Sequence, residues 1–377
     1  MSQKVYFTSE EYPELDRWIT QHSFSKIMLV CGKSIRYLKI KKYLEQLEKQ
    51  NRIEFIVFSD FEPNPLYTSV IKGIKIFTEE KCEGILAIGG GSAMDVAKCI
   101  KLYAGSETPE HFLDQKPSKD KVPLFAVPTT AGSGSEATRF AVVYKEGIKQ
   151  SISDEGCIPE AVILDHSVLN SLPLTQKKST MMDAFCHSLE SMWSINSTSE
   201  SIKYASEAIT EILLYKKAYL NNDDNGNMHM LYAANLAGRA INISQTTAGH
   251  AMCYKITSLF GIPHGQAAAM CVRKLFPWML EHLDHCVDPR GQEYLKEVFS
   301  NVADIMHCKT SRDAADYFER IFYELEFSIP SPTEKELELL VSSVNQTRLS
   351  NNPIALDKED IMCLYRYIFE KQSGKGI

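Results

Sequence analysis

Four residues could hold one divalent cation between them. Asp183 and His187 stand four apart in the stretch Lys177–Trp193, whose apolar periodicity is helical, so both side chains leave from one face. His250 and His264 follow, fourteen residues apart, the second immediately before Gly265. Carboxylate and imidazole donors of this kind suit Fe(II), Zn(II) or another divalent ion, although any one histidine taken singly is more often a hydrogen-bonded core or surface residue. Spacing joins only the first pair.

Two glycine-rich stretches offer a different chemistry. Gly84-Ile-Leu-Ala-Ile-Gly-Gly-Gly-Ser92 is an apolar run that ends in three glycines and a serine, and Ala93–Tyr103 after it has helical character. Glycines let a backbone approach a ligand closely, and a helix start presents free N–H groups and a positive dipole end to a pyrophosphate. A tight turn with no ligand would read the same way. The pattern is not GxGxxG, and Gly32-Lys33-Ser34 lacks the glycine five positions earlier, where Ile27 stands, so a P-loop is disfavoured. A second stretch, Pro128-Thr-Thr-Ala-Gly-Ser-Gly-Ser-Glu136, follows the apolar run Leu124–Val127. Two such loops at strand ends would meet at one edge of a parallel sheet, where open α/β folds bind ligands, and their hydroxyls and amides suit a dinucleotide.

These residues need a scaffold, and the hydrophobic pattern predicts one of two kinds. Ile27–Val30, Phe55–Phe58, Ile85–Ile88, Leu124–Val127 and Ala161–Leu164 read as buried strands, with helical patterns over Lys39–Gln50 and Pro65–Glu80, which is an open α/β sheet. Beyond Pro173 the pattern becomes helical: Lys177–Trp193, Ser199–Tyr219, Met228–Thr247, Ala267–His285 and Arg312–Glu324. The expected domains are therefore residues 1–172, α/β, and 173–377, all-helical, with Asn221–Asn227 (NNDDNGN) as a solvated loop.

Composition narrows the function classes. At 377 residues the chain is long enough for two cores. With 41 basic and 48 acidic residues the net charge is −7, which leaves no basic field for nucleic acid. Ten cysteines without a CxxC pair suggest reduced thiols, and no apolar run approaches the ~20 residues of a membrane span, so a cytoplasmic protein is expected.

The motifs GGGSAMDVAK, PTTAGSGSEAT, DAFCHSLE and HAMCYKITSLFGIPHG, in this order, closely resemble those of the iron-dependent (group III) alcohol dehydrogenase family, over most of the chain and most densely over residues 60–270. The resemblance implies a Rossmann-like N-terminal domain and a helical C-terminal domain of the dehydroquinate synthase-like fold, with the active site in the cleft between them. It implies NAD(P)H and a divalent metal, Fe(II) with Zn(II) as the alternative, a small aldehyde as substrate and a homodimer. The family's metal ligands fall on Asp183, His187, His250 and His264, and its dinucleotide contacts on Gly90, Gly91, Ser92, Asp95, Thr129, Thr130, Ser133 and Lys149, with Asn64 as a further cofactor-side position.

One departure concerns the proton. Many members carry a histidine four residues after the third ligand; here that residue is Tyr254, a reluctant base, which stands with His264 as a catalytic candidate and could equally be packing. Tyr254-Lys255 and TRFAVVYKEGIK resemble the phosphonoacetaldehyde reductase subgroup, whose product is 2-hydroxyethylphosphonate. A doubly charged substrate needs fixed cations, and Arg139, Lys255 and Arg273 are the candidates by proximity to the motifs. A general short-chain alcohol dehydrogenase or a semialdehyde reductase of the same family is the alternative. After Val30-Cys31 comes Gly32-Lys33-Ser34, with no carboxylate to repel a 2′-phosphate, so both cofactors are expected, NADPH ahead.

Overall fold

The computed structural model describes residues 3–8, 11–50, 52–106, 108–117 and 122–370. The chain packs as two compact units, Met1–Pro173 with Asn221–Gly238, and Leu174–Leu220 with Arg239–Ile377. The return of residues 221–238 to the first unit has no signal in the hydrophobic pattern.

The first unit is built on a six-stranded, all-parallel sheet in the order β1-β8-β5-β4-β2-β3. Its strands are β1 (Lys4–Thr8), β2 (Lys26–Cys31), β3 (Glu54–Phe58), β4 (Gly84–Gly89), β5 (Leu124–Pro128) and β8 (Ala161–Asp165). β4, β5 and β8 are buried along their whole length, which is why they read in the sequence as continuous apolar runs. Edge strand β1 is half-exposed and leaves no such run. β6 (Phe140–Lys145) and β7 (Ile148–Ser153) form a separate antiparallel hairpin whose loop, Glu146-Gly147, has both φ angles positive. That is the geometry of a type I′ turn, the tight connection that matches strand twist. From β2 the chain steps outward to β3 and returns to β4 on the other side of β2, so the carboxyl ends of β2 and β4 flank the switch point where such sheets bind ligands.

The second unit is helical. Its centre is the helix Leu174–Trp193, on which every residue from Met181 to Trp193 is buried, apolar Met181, Phe185, Leu189 and Trp193 beside polar Asp183, His187 and Glu190. A helix buried all round is a core element, and the polar residues within it need partners. Packed around it are Ser199–Leu220, His264–Glu281 and Gln292–Ile305. The helix expected over Met228–Thr247 spans Asp224–Ser244 and stops before Gln245, whose φ is +60°. That expected over Ala267–His285 begins earlier, at His264, and ends at Glu281. The solvated loop expected at Asn221–Asn227 is corrected: from Asp224 onward it is helical, and Asn227 is fully buried, donating to Asn170 Oδ1 at 2.7 Å. Among the described residues no helix is long and apolar enough to cross a membrane.

Candidate functional site

In the second unit the helix Leu174–Trp193 presents Asp183 and His187 one turn apart, and the helices Ala248–Phe260 and His264–Glu281 bring His250 and His264 against them. Donor atoms of Asp183, His187 and His250 lie within 4.8 Å of one another, all three residues buried. From Asp183 Oδ1 the distances are 3.5 Å to His250 Nε2, 3.9 Å to His264 Nε2 and 4.0 Å to His187 Nε2. The rings of His187 and His250 stack at 4.5 Å, and that of His264 stands edge-on to His250 at 5.5 Å.

Two glycines make this approach possible. A Cβ on Gly265 would sit 2.0 Å from Ser179 O and 2.8 Å from Asp183 Cβ, so only glycine lets the start of the His264 helix touch the Asp183 helix. A Cβ on Gly249 would meet Val272 Cγ2 at 2.6 Å and Glu190 Oε1 at 3.1 Å. The space it leaves is taken by Glu190, a fully buried carboxylate that the sequence reading passed over. Glu190 Oε1 accepts from Thr247 N (3.0 Å), Thr247 Oγ1 (2.8 Å) and His250 N (3.2 Å), and Oε2 is in direct contact with His250 Nδ1. Its signal was its spacing: seven residues after Asp183 and three after His187, it lies on the same helix face.

The electrostatics suit a cation. Burial would raise the pKa of Asp183, but His187, His250 and His264 around it overcome this and hold the carboxyl below its usual range. Burial likewise lowers that of His250, but Glu190 and Asp183 outweigh it and push the imidazole up. Asp183 Oδ1 and His250 Nε2 are buried and make no hydrogen bond of good geometry. Two buried donor atoms facing each other with unused lone pairs are what a metal site requires. Tyr254, one turn beyond His250, lies with its ring parallel to that of His264 at 5.8 Å; burial raises its phenol well above the ordinary value, against a hydrogen bond with Thr246 that lowers it. Its hydroxyl is thus a donor at neutral pH.

In the first unit the two glycine-rich loops lie side by side. Gly89 pairs with Pro128 in register, and Thr129 N donates to Gly89 O at 2.9 Å. The helix Gly91–Tyr103 starts at Gly90 with no side-chain cap, an end whose N–H groups and dipole suit an anion. A Cβ on Gly90 would lie 3.2 Å from Thr130, and one on Gly91 3.2 Å from Ser133 Oγ, so Gly90, Gly91, Ser92, Thr129, Thr130 and Ser133 form one cradle. Asp95 accepts from Ser135 Oγ at 2.9 Å, and Lys149 on β7 acts on its charge. Buried Lys98 donates to Ser135 Oγ, Thr138 Oγ1 and Phe140 O at 3.0, 3.1 and 2.7 Å, bracing the second loop from the helix of the first. The second loop is also covered from behind: Gly134, at φ +57°, lies so close to Gly238 that a Cβ on it would come within 2.5 Å of Gly238 Cα. Exposed Asn64 has φ +60°, and the next residue is tied to the hairpin by Tyr144 N donating to Pro65 O.

The three substrate-cation candidates part company. Arg139, in the first unit, pairs with Glu155 at 3.1 Å. Arg273, in the second, is fully buried, donating to Glu319 Oε1, Tyr323 OH and Ile368 O at 2.8, 2.9 and 2.6 Å beneath the Phe322 ring. The expectation that Arg273 meets a substrate is thus corrected: its guanidinium joins three helical segments from inside. Lys255, on the helix of His250, is half-buried and forms no ion pair among the described residues.

Comparison with known proteins bears on the whole chain. The sequence pattern of iron-containing alcohol dehydrogenase matches residues 2–166, and that of the C-terminal part of the Fe-containing alcohol dehydrogenase family matches residues 177–369. Alcohol dehydrogenase 4 of Schizosaccharomyces pombe is 27% identical over 366 residues, 94% of this chain and 84% of its own. Phosphonoacetaldehyde reductase of Streptomyces viridochromogenes is 30% identical over 296 residues, 73% of each chain. Among solved structures, sulfoacetaldehyde reductase from Bifidobacterium kashiwanohense in complex with NAD+ shares the fold with a TM-score of 0.86 over 98% of both chains, at 24% identity.

Proposed function

Because the chain belongs to the iron-containing alcohol dehydrogenase family, we propose that it is a metal-dependent NAD(P)H oxidoreductase that reduces a small aldehyde to a primary alcohol, with phosphonoacetaldehyde as the substrate to be tested first. The observation that carries the reading is the buried meeting of Asp183, His187 and His250, with His264 completing the set. Asp183, His187, His250 and His264 would hold a divalent ion, Fe(II) by the family's name with Zn(II) as the alternative, which would supply Lewis acidity to a carbonyl oxygen.

The chain's own residues set the conditions for that transfer. One carboxylate and three neutral imidazoles leave a net +1 around a 2+ ion, enough to stabilise an oxyanion. The cradle of Gly90, Gly91, Ser92, Thr129, Thr130 and Ser133, bare of Cβ atoms where the two loops meet, suits a pyrophosphate at the uncapped helix start, with Asp95, Lys149 and Asn64 as flanking contacts. Tyr254 keeps its proton at Oη and, beside His264, is placed to donate it. Lys255 is the cation put first for a phosphonate, and Arg139 second, because Glu155 already partly neutralises it.

The test is aldehyde-dependent NAD(P)H oxidation by the anaerobically Fe(II)-loaded protein, with phosphonoacetaldehyde against butanal. A preference of 100-fold in kcat/KM, about 2.7 kcal/mol of transition-state binding, supports a phosphonate pocket. Equal rates leave a general short-chain alcohol dehydrogenase; no rate with either aldehyde overturns the reading.

A further inference from the structure

We infer that Glu190 is the positioning residue of the metal centre: its buried carboxylate fixes both the ring tautomer of His250 and the backbone turn that carries it, aiming Nε2 at Asp183. The inference rests on the metal reading above and concerns a residue outside the ligand set.

The donors and acceptors around Glu190 leave one arrangement of hydrogens. Oε1 already receives three hydrogens, from Thr247 N, Thr247 Oγ1 and His250 N. Oε2 faces, among the described residues, only the ring of His250. An ionised carboxylate accepts and never donates, so the hydrogen of the imidazole must sit on Nδ1. The lone pair is then on Nε2, the atom 3.5 Å from Asp183 Oδ1. A neutral imidazole can ligate only through the nitrogen that lacks the hydrogen, and a carboxylate on the other nitrogen both selects that tautomer and strengthens the ligand.

The same carboxylate does a second task. The helix Ala248–Phe260 has no side-chain cap of its own from Thr247, and its first N–H groups would otherwise be orphaned. Glu190, reaching across from the Leu174–Trp193 helix, takes Thr247 N and His250 N, where the helix dipole favours a negative charge. Trp193 Nε1 donates to Thr247 Oγ1 at 3.1 Å and closes the network on its far side. Ring and backbone of one ligand are therefore held by one group, and Gly249 is bare because that group passes there.

The experiment is Co(II) titration of the chelator-stripped full chain, read by affinity and by the d–d absorption bands, for wild type, Glu190→Gln and Thr247→Val, with thermal melts of each metal-free protein. In Glu190→Gln the amide N–H₂ faces Nδ1, moves the imidazole hydrogen to Nε2 and sets it toward Asp183. The Co(II) affinity is expected to fall about 10- to 100-fold with altered bands. Thr247→Val, which removes one hydrogen bond to Oε1 and spares the Nδ1 contact, should lower the melting temperature and leave the affinity within threefold, on the order of 0.6 kcal/mol. Should Glu190→Gln not fold, Glu190→Asp takes its place: the charge is kept but withdrawn by one methylene, and the expected loss of affinity is about tenfold. Wild-type affinity and spectrum in the Glu190 variant, with only its melt lowered, would make Glu190 a helix cap and overturn the inference. A wild-type chain that takes up no Co(II) overturns the metal reading itself, and this inference with it.

Discussion

The two candidate ligand sites of this chain are made of opposite materials. In the first unit the cradle between β4, β5 and their loops is a surface of backbone: glycines, amide hydrogens and a few short hydroxyls. In the second unit the site is a set of side chains on three helices, and the backbone enters only where Gly249 and Gly265 let those helices touch. A backbone site is damaged by adding atoms and a side-chain site by removing them. The glycines also differ in kind, since a Cβ on Gly91 would meet only the hydroxyl of Ser133, whereas one on Gly265 would meet the backbone of another helix.

That contrast can be broken at four points. Asp183→Asn, which removes the one carboxylate of the quartet, should cost at least about 100-fold in metal affinity and about 1000-fold in kcat, checked by metal analysis of the purified protein and steady-state rates, with dinucleotide affinity unchanged. Gly265→Ala should destabilise the second unit by about 3 kcal/mol, because its Cβ meets the carbonyl of Ser179 and no flexible side-chain end; urea unfolding measures it. Gly91→Ala, by contrast, meets only the rotatable hydroxyl of Ser133, so it should leave stability within about 1 kcal/mol yet raise the KM for dinucleotide about tenfold, the worth of one lost hydrogen bond. A metal content altered in Gly91→Ala, or left intact in Asp183→Asn, would refute the division of labour.

The smallest effect is a pH dependence confined to the second unit. Lys177, buried with its ammonium donating to Tyr219 O at 3.2 Å, is lowered by burial from 10.5 to about 8. Below pH 8 the amine is charged folded and unfolded alike, and the burial penalty is present in full. Between pH 8 and 10.5 the folded form loses its proton while the unfolded form keeps it, so this group's contribution to stability rises with pH. Lys177→Met should flatten that rise, seen as a smaller difference between urea midpoints at pH 7 and pH 10 than in wild type.

What could be read from the sequence follows from the same contrast. Strands such as Ile85–Ile88 and Leu124–Val127 were legible because both faces of a covered parallel sheet are apolar. β1 was not, because it is short and half-exposed, with only Val5-Tyr6-Phe7 apolar; nor was the β6–β7 hairpin, because the apolar run Phe140–Tyr144 of β6 is answered across the Glu146-Gly147 turn by a β7 that is mostly polar. The glycine loops announce themselves, since a backbone site is written in residues that have no side chain. The metal quartet does not, for Asp183 and His187 share a helix face while their distances to His250 and His264 depend on contacts at Gly249 and Gly265 that no periodicity encodes. Arg273 was misjudged for a related reason: closeness to a motif along the chain says nothing about which way a helix turns its side chains, and this one turns inward.

The contact of Gly134 with Gly238 has a consequence for synthesis. Residues 221–238 supply the cover of the second glycine-rich loop: Gly238 lies against Gly134, Asn235 Nδ2 donates to Glu136 Oε1 at 3.1 Å, and the ring of Tyr232 stands 5.5 Å from that of Phe7 on β1. All six strands of the sheet have left the ribosome some seventy residues before this cover does, as the last of them ends at Asp165 and the cover at Gly238. The nascent chain must therefore carry an incomplete first unit through translation of the helix Leu174–Trp193 and the one after it, so the residues that begin the second unit are made before the first can finish folding.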